Sequence, residues 1–347
     1  MSQNLPKIIQ KFAQNKAFLI LICLVILTIF SFLILQTKPK TINNSNNSNK
    51  INVVTSFFPL FDFAQNVGGD LIQVENITNQ ADPHEFEPTI QDLTKIYNSN
   101  FFIYQGASFD TWADKITTQI KTEKPQIKTI NMTSNFELMA EKDEEKTKFE
   151  TNNQTSQNNS SNSVQKDKTD KIAYNPHIWL DPIKVITQAE IIRDGLIKID
   201  SKNQEIYNTN AQNYIKKLQN LDQKYKTKLA NCRQKTIIAP HDAYIYLAKR
   251  YNFQTLSIAG LEPSSEPTIQ EITSIIQNIK DQKLKYIFYE KNNTPKFAQT
   301  IASETGVQSL ILDSIETLDK EQIEKGENYL TIMEKNLENL KIALECS

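Results

Sequence analysis

Residues 51–77 read INVVTSFFPLFDFAQNVGGDLIQVENI, and the order of elements in this stretch decides the fold class. The β-branched run Ile51–Thr55 is typical of a strand, and residues 57–67 show the apolar spacing of a helix. Two consecutive glycines then end the helix, and residues 71–77 resume the pattern of a strand. A strand, a helix and a second strand in this order predict a parallel sheet that is covered by helices.

The same alternation continues along the chain and divides it into two sets of elements. Further strands are predicted at 101–104, 236–239, 255–258, 286–289 and 309–312, and further helices at 89–97, 183–199, 243–251, 268–281, 294–305 and 320–344. Between the two sets, residues 203–229 repeat apolar and aromatic side chains on one face of a single long helix. The sequence therefore predicts an α/β protein of two lobes, with parallel sheets flanked by helices, that a long helix joins.

Composition suggests the limits of these domains. We predict an N-terminal lobe at 51–202, a linking helix at 203–231 and a C-terminal lobe at 232–347. Residues 136–171 are rich in Glu, Lys, Asn, Ser, Gln and Thr, and we interpret them as a mobile polar insertion rather than as part of the core. The insertion carries acidic side chains but neither histidine nor cysteine.

The N-terminus is interpreted as a membrane anchor or signal segment that covers residues 1–40. Three lysines precede the uncharged run 17–35, whose length is close to the ~20 residues that span a bilayer. We favour an uncleaved anchor over a cleaved signal peptide, and a lipid-modified Cys23 is a further alternative. Residues 41–50 then form an Asn/Ser-rich linker, which places the folded body outside the cytoplasm.

Charge and composition exclude several classes of protein. With 39 basic and 40 acidic residues the formal net charge is -1, which argues against binding nucleic acid through a broad basic surface. A hydrophobic content of 39% excludes a polytopic membrane protein. Two cysteines of the body, Cys232 and Cys346, are able to form a disulfide in an oxidising compartment, and two free thiols are the alternative.

All three histidines of the chain follow a proline. The pairs are Pro83-His84, Pro176-His177 and Pro240-His241, a placement not expected by chance with 12 prolines in 347 residues. Proline is disfavoured inside central strands, so each histidine is predicted to lie in a loop. Loops beyond the carboxyl ends of parallel strands are where α/β proteins bind ligands.

Neutral imidazole is the commonest metal ligand, so the three histidines suggest a zinc site that needs a fourth ligand. Asp313 is our candidate, because it directly follows the predicted strand 309–312. A turn or helix-cap residue is the alternative role for Asp313. A lone histidine is also more often a structural residue than a ligand. No local chelating motif such as H-E-x-x-H or C-x-x-C accompanies them.

Four segments of the chain resemble motifs of a known family. They are ADPHEFEPT at 81–89, NPHIWLDP at 175–182, PHDAYIYLAKRY at 240–251 and EPSSEPT at 262–268. In this order they are similar to the metal-binding solute-binding proteins of zinc/manganese ABC transporters. The resemblance covers about residues 51–344.

The resemblance implies an α/β fold of two lobes joined by a long rigid helix, with the metal held where the lobes meet. It implies the ligands His84, His177, His241 and Asp313. Manganese-preferring members tend to have glutamate in place of the third histidine, and three nitrogens suit Zn²⁺ better than the harder Mn²⁺. The expected function is capture of Zn²⁺, with Mn²⁺ as the alternative metal, and its delivery to an ABC permease.

A closed shell of four ligands leaves no position for catalysis, so we do not expect an enzyme. We also expect the protein to be a monomer. Two other functions remain open: a surface adhesin on the same fold, and a zinc hydrolase with Glu85 as its general base. Asp181, Asp242 and Glu290 are candidates for residues that support the ligands from behind.

Overall fold

The computed structural model describes residues 50–107, 109–140, 174–291 and 296–347. The predicted anchor, nearly all of the linker and most of the predicted insertion lie outside the described residues. Within these four ranges, no helix combines the length and the apolar character that a membrane span requires.

The N-terminal lobe is built on one parallel sheet of four strands in the order β2-β1-β3-β4. Its central strands carry core side chains, with Val53 opposite both Val74 and Phe101. The third helix and the fourth strand were not predicted. The elements are β1 Ile51–Thr55, α1 Phe58–Gly68, β2 Ile72–Asn76, α2 Ile90–Tyr97, β3 Phe101–Tyr104, α3 Thr111–Glu123 and β4 Lys128–Asn131.

Two long helices follow the first sheet: α4 (Pro182–Ile199) and α5 (Gln204–Lys228), joined by the short turn Ser201–Asn203. The 25-residue α5 packs against α4 and against α1 in the N-terminal lobe. It buries the aromatic and aliphatic face that its sequence spacing predicts, including Tyr207 and Tyr225. This helix joins the lobes, as predicted.

The C-terminal lobe has two parallel strand pairs, β5 with β6 and β7 with β8, and β7 lies beside β5. Helices connect successive strands, and the last helix packs on both α5 and β8. The elements are β5 Thr236–Ala239, α6 Ile245–Tyr251, β6 Gln254–Ser257, α7 Ile269–Gln282, β7 Tyr286–Tyr289, α8 Lys296–Thr305, β8 Gln308–Ile311, α9 Lys320–Glu324 and α10 Tyr329–Ala343.

The single final helix predicted at 320–344 is wrong, because the structure divides it into α9 and α10. Gly326 adopts a left-handed conformation with φ 64°, which ends α9. Asn328 then begins α10: its side chain accepts a hydrogen bond from the backbone N–H of Thr331. The helical spacing continues through this break, so periodicity alone did not reveal it.

The first residues of the predicted insertion, 136–140, belong to the described part of the chain. Phe136, Leu138 and Met139 pack against a small buried cluster that includes Tyr246. The backbone N–H of Met139 donates to the Tyr246 hydroxyl at 2.9 Å, and its carbonyl accepts from Asn175 N at 2.8 Å. Residues 136–140 therefore belong to the folded body.

One hydrophobic core extends through both lobes. It contains Val53 of the first sheet, Tyr214 of α5 and Ile237 of β5, together with Leu337 of α10. At the edge of this core, Cys232 and Cys346 form a disulfide bond, which confirms the pairing considered from the sequence.

Candidate metal centre

Each histidine lies in a loop, as its preceding proline predicts. His84 lies between β2 and α2, and His241 follows β5 by two residues. His177 begins the short 3₁₀ turn Ile178–Leu180 that leads into α4. The loops after β2 and β5 leave the carboxyl ends of strands in parallel sheets. This is where α/β proteins bind ligands.

The three imidazoles meet a glutamate, Glu316, in the segment between β8 and α9. One ligand atom from each of these four residues lies within 4.8 Å of the others. Glu316 Oε1 is 3.4 Å from Nε2 of His177 and 3.3 Å from Nε2 of His241. Glu316 Oε2 is 3.4 Å from Nε2 of His84.

These separations are close to the edge length of a zinc tetrahedron, and Glu316 makes them with both of its oxygens. Ligands at about 2.0–2.1 Å from a common Zn²⁺ in tetrahedral geometry lie about 3.3–3.4 Å from each other. The Nε2 atoms of His177 and His241 are likewise 3.4 Å apart. The distances exceed the roughly 2.7–2.9 Å of a charge-assisted hydrogen bond, so a shared cation explains the spacing better than direct bonding does.

Unused hydrogen-bonding capacity points the same way. Within the described residues, the buried atoms His84 Nε2 and Glu316 Oε1 make no hydrogen bond. Buried polar atoms in native proteins nearly always have a partner, and a metal ion is one that satisfies both. The donor set therefore fits Zn²⁺.

Asp313, the predicted fourth ligand, is not in this group of four. Its Oδ1 accepts from the backbone N–H of Ile315 at 2.7 Å, and its Oδ2 accepts from Gln322 Nε2 at 2.8 Å. Both oxygens are thus engaged in the turn that follows β8, which is the alternative role considered from the sequence. The carboxylate that faces the imidazoles belongs to Glu316, which the sequence analysis missed.

Neighbouring side chains contact two of the rings at Nδ1. Asn175 Oδ1 is 2.9 Å from Nδ1 of His177, while Asn175 Nδ2 donates to the carbonyl of Asp242. With its amide held this way, Asn175 offers an acceptor, so Nδ1 of His177 carries the proton and Nε2 keeps a lone pair for a metal. Glu290 Oε1 lies 3.2 Å from Nδ1 of His241, which is an ionic contact without hydrogen-bond geometry.

The other two candidate supporting residues, Asp181 and Asp242, make other contacts. Asp181 caps α4 by accepting from Ile183 N at 2.9 Å, and it pairs with Arg250. Asp242 contributes its backbone carbonyl to Asn175. Glu290 is the candidate whose carboxylate is seen directly against a ligand ring.

Burial and charge shift the titration of the site in opposite directions. Burial lowers the pKa of His177 to about 3, so this ring is neutral and ready to bind a metal. Burial also acts to lower the pKa of His241, but the facing carboxylates of Glu290 and Glu316 raise it to about 10. Against its own burial, the pKa of Glu316 is held well below its usual range by His84 and the other two histidines.

A cavity of about 110 Å³ adjoins Glu316. Its lining includes three further carboxylates, from Asp82, Glu290 and Asp313, and one lysine, Lys291. Carboxylates grouped around such a cavity attract cations.

The two-lobed α/β body groups three histidines and a glutamate. This arrangement is typical of a protein that binds a metal ion rather than an organic ligand. The family model described as "Zinc-uptake complex component A periplasmic" matches residues 53–343. The chain belongs to this family, which confirms the resemblance seen in its motifs.

Relatives of known name agree with this assignment. The chain is 32% identical over 300 residues to the zinc-binding lipoprotein AdcA of Streptococcus pneumoniae R6, across 86% of this chain and 57% of AdcA. It thus spans little more than half the length of that relative. It is 30% identical to the high-affinity zinc uptake system protein ZnuA of Bacillus subtilis 168, across 85% of this chain and 88% of ZnuA.

Solved structures show the same fold. The Zn(II)-bound ZnuA-like domain of S. pneumoniae AdcA aligns with a TM-score of 0.69 and 32% identity, over 85% of this chain and 99% of that domain. The laminin-binding protein Lmb of Streptococcus agalactiae aligns with a TM-score of 0.71 and 28% identity, over 85% of this chain and all of that one (100%). Lmb is described as bifunctional, with adhesin and metal-transporting activity.

Proposed function

We propose that this protein captures Zn²⁺ outside the cytoplasm and delivers it to an ABC permease for uptake. The observation that carries the proposal is the spacing of His84, His177, His241 and Glu316, whose facing atoms lie at 3.3–3.4 Å in the four measured contacts. Membership of a zinc-uptake family supports it.

The proposed ligands are the three Nε2 atoms and the Glu316 carboxylate. Three nitrogens and one carboxylate favour Zn²⁺ over Mn²⁺, which prefers oxygen ligands. The four residues supply a complete tetrahedral shell, and this agrees with a binding protein that performs no catalysis. Asp313 stays in the proposal as the alternative carboxylate ligand.

The proposed location is the outer face of the cell membrane, reached through the N-terminal segment 1–40. That segment lies outside the described residues, and the proposal rests on its lysine-flanked apolar run. The name of the relative AdcA, a zinc-binding lipoprotein, supports membrane anchoring. We propose that the protein acts as a monomer on its permease.

Metal titration tests the proposal directly. The metal-free full chain in detergent is titrated with Zn²⁺ and with Mn²⁺ by competition calorimetry. We expect one tight Zn²⁺ site that His241→Ala abolishes, because removal of one of four ligands leaves an incomplete shell. A preference for Mn²⁺ would overturn the proposal that the metal is Zn²⁺. The lack of a tight site for either metal would overturn the proposed function.

A pair of conservative variants identifies the fourth ligand. Glu316→Gln keeps the size of the side chain but removes its charge, so we expect zinc affinity to fall at least tenfold. Asp313→Asn is the matched control, because this carboxylate binds Ile315 N and Gln322 rather than the imidazoles. The opposite ranking of the two affinities would assign the ligand to Asp313.

A second candidate function is supported by the likeness to Lmb, whose description includes adhesin activity. A strain that lacks this chain separates the two functions. Poor growth in zinc-depleted medium supports uptake, whereas impaired attachment with normal growth supports adhesion.

A further inference from the structure

The segment Leu312–Glu316, between β8 and α9, carries a strained turn directly before the metal-facing glutamate. Ile315 is fully buried and has φ 64°. This left-handed region is unfavourable for a β-branched side chain, so the surroundings must hold the turn in place. The direction of the Glu316 carboxylate therefore depends on what holds this segment.

The helix α10 holds it through a buried asparagine. Asn336 accepts a hydrogen bond from the backbone N–H of Asp313 at 2.9 Å and donates one to the carbonyl of Asp313 at 2.7 Å. Its side chain is 1% exposed, so these two bonds form away from competing water. One amide group thus fixes both backbone polar groups of the residue three positions before Glu316.

Residues close to two of the histidines bind the same segment. The hydroxyl of Tyr244, three residues after His241, donates to the carbonyl of Leu312 at 2.9 Å. The indole of Trp179, two residues after His177, donates to the carbonyl of Ser314 at 2.8 Å. The loops that carry His177 and His241 are therefore tied to the segment that carries Glu316.

The same helix also holds the loop of His177. The hydroxyl of Tyr329, in the first turn of α10, donates to the carbonyl of Trp179 at 2.8 Å. α10 therefore contacts two of the ligand-bearing segments, although none of its own residues belongs to the group of four.

We propose that Asn336 is the positioning residue of the zinc site: by bracketing Asp313 it keeps the turn at Ile315 in the conformation that directs Glu316 at the three imidazoles. The proposal rests on the proposed zinc-binding function. Residues that orient metal ligands from behind typically change metal affinity about 10–100-fold when they are removed. Asn336 acts at greater distance, through the backbone rather than through the ligand side chain.

The test compares Asn336→Ala with Asn339→Ala in the full chain. Asn339 is a matched control, because it lies in the same helix and donates to the carbonyl of Ile311 at 2.8 Å, outside the strained turn. We expect Asn336→Ala to weaken zinc binding about 10–100-fold and Asn339→Ala to leave it nearly unchanged. Competition with a coloured chelator measures both affinities, and thermal unfolding shows whether the variants fold.

Cobalt substitution adds a readout that a loss of stability alone does not change. Co²⁺ in a four-coordinate site absorbs strongly in the visible range, and we expect Asn336→Ala to weaken and shift this absorption. A parent-like spectrum and affinity in Asn336→Ala would overturn the proposal. Equal losses in the two alanine variants would also overturn it, because they would show that α10 acts only through general stability.

A double-mutant cycle asks whether Asn336 acts through Glu316. We expect Asn336→Ala to have little further effect on zinc affinity in the Glu316→Gln background, because the residue it positions is already disabled. Additive effects would contradict the proposal. If the alanine variant does not fold, Asn336→Asp replaces it, since aspartate accepts from Asp313 N but does not donate to Asp313 O. Failure of zinc capture itself would appear separately, as the lack of a tight site in the parent chain.

Discussion

At the scale of single residues, Asp62 is a buried carboxylate that does not belong to the group of four metal-facing residues. It accepts hydrogen bonds from Asn66 at 3.2 Å and from the Tyr214 hydroxyl at 3.3 Å. Burial outweighs these bonds and raises its pKa from 3.8 to about 6. Folding therefore favours the protonated form of this side chain.

This raised pKa predicts how stability depends on pH. The cost of burying the charge is absent below about pH 4, where both states are protonated, and complete above about pH 6. We expect Asp62→Asn to gain about 2–3 kcal/mol in free energy of unfolding, relative to the parent, between pH 4 and pH 7. Urea unfolding of the metal-free proteins measures this difference.

Asp70→Asn is the control for Asp62→Asn, because the Asp70 side chain is exposed at the end of α1. This carboxylate stays in contact with water, so Asp70→Asn has no burial cost to relieve. A difference between Asp62→Asn and the parent that does not change between pH 4 and pH 7 would show that burial does not shift the titration of Asp62.

The sequence predicted the histidines of the candidate site but not its carboxylate. The proline before each histidine predicted that the histidine lies in a loop, because the effect of proline on the backbone is local. Glu316 reaches the imidazoles only because the turn at Ile315 is forced into a left-handed conformation by partners on α10 and near His177. Such long-range constraints leave no local pattern, and the local pattern favoured Asp313, the carboxylate nearest to the strand.

At the scale of elements, most strands and helices of the two lobes were predicted to within two residues, because each carries a clear apolar period. The missed helix α3 has such a signal too: Trp112, Ile116 and Ile120 are spaced four apart and are all buried. The break between α9 and α10 was the harder case, because the apolar spacing runs across it. Only Gly326 and the capping residue Asn328 mark the place.

That break predicts a specific cost for substituting its glycine. A Cβ at Gly326 would meet nothing within 4 Å, so its φ of 64° is the main source of strain. We expect Gly326→Ala to lower the free energy of unfolding by about 1–2 kcal/mol. Gly260→Ala is the control, since that glycine lacks a positive φ and its Cβ would make only an ordinary 3.5 Å contact with Ser265. Equal stability of both variants by urea unfolding would show that the turn relaxes.

At the scale of the whole molecule, the disulfide links two positions that are 114 residues apart in sequence. Closing so long a loop restricts the unfolded chain, and removal of such a bond typically costs about 2–5 kcal/mol. We expect Cys232→Ala with Cys346→Ala to lower the free energy of unfolding by that amount and to leave zinc affinity unchanged. A reducing agent should destabilise the parent equally and the double variant not at all. Loss of zinc binding in the variant would contradict the separation of the disulfide from the site.

The continuous core has a consequence for how the chain can fold as it emerges during synthesis or export. Phe63 of α1, the first helix of the body, packs edge-to-face on Tyr329 of α10, with ring centroids 5.1 Å apart. More than 250 residues separate Phe63 from Tyr329, so α1 and α10 make contact only after these residues have been synthesised or exported. Until then α1 exposes apolar surface, which is a period of vulnerability to aggregation and proteolysis. The group of His84, His177, His241 and Glu316 is likewise complete only once nearly the whole body is present.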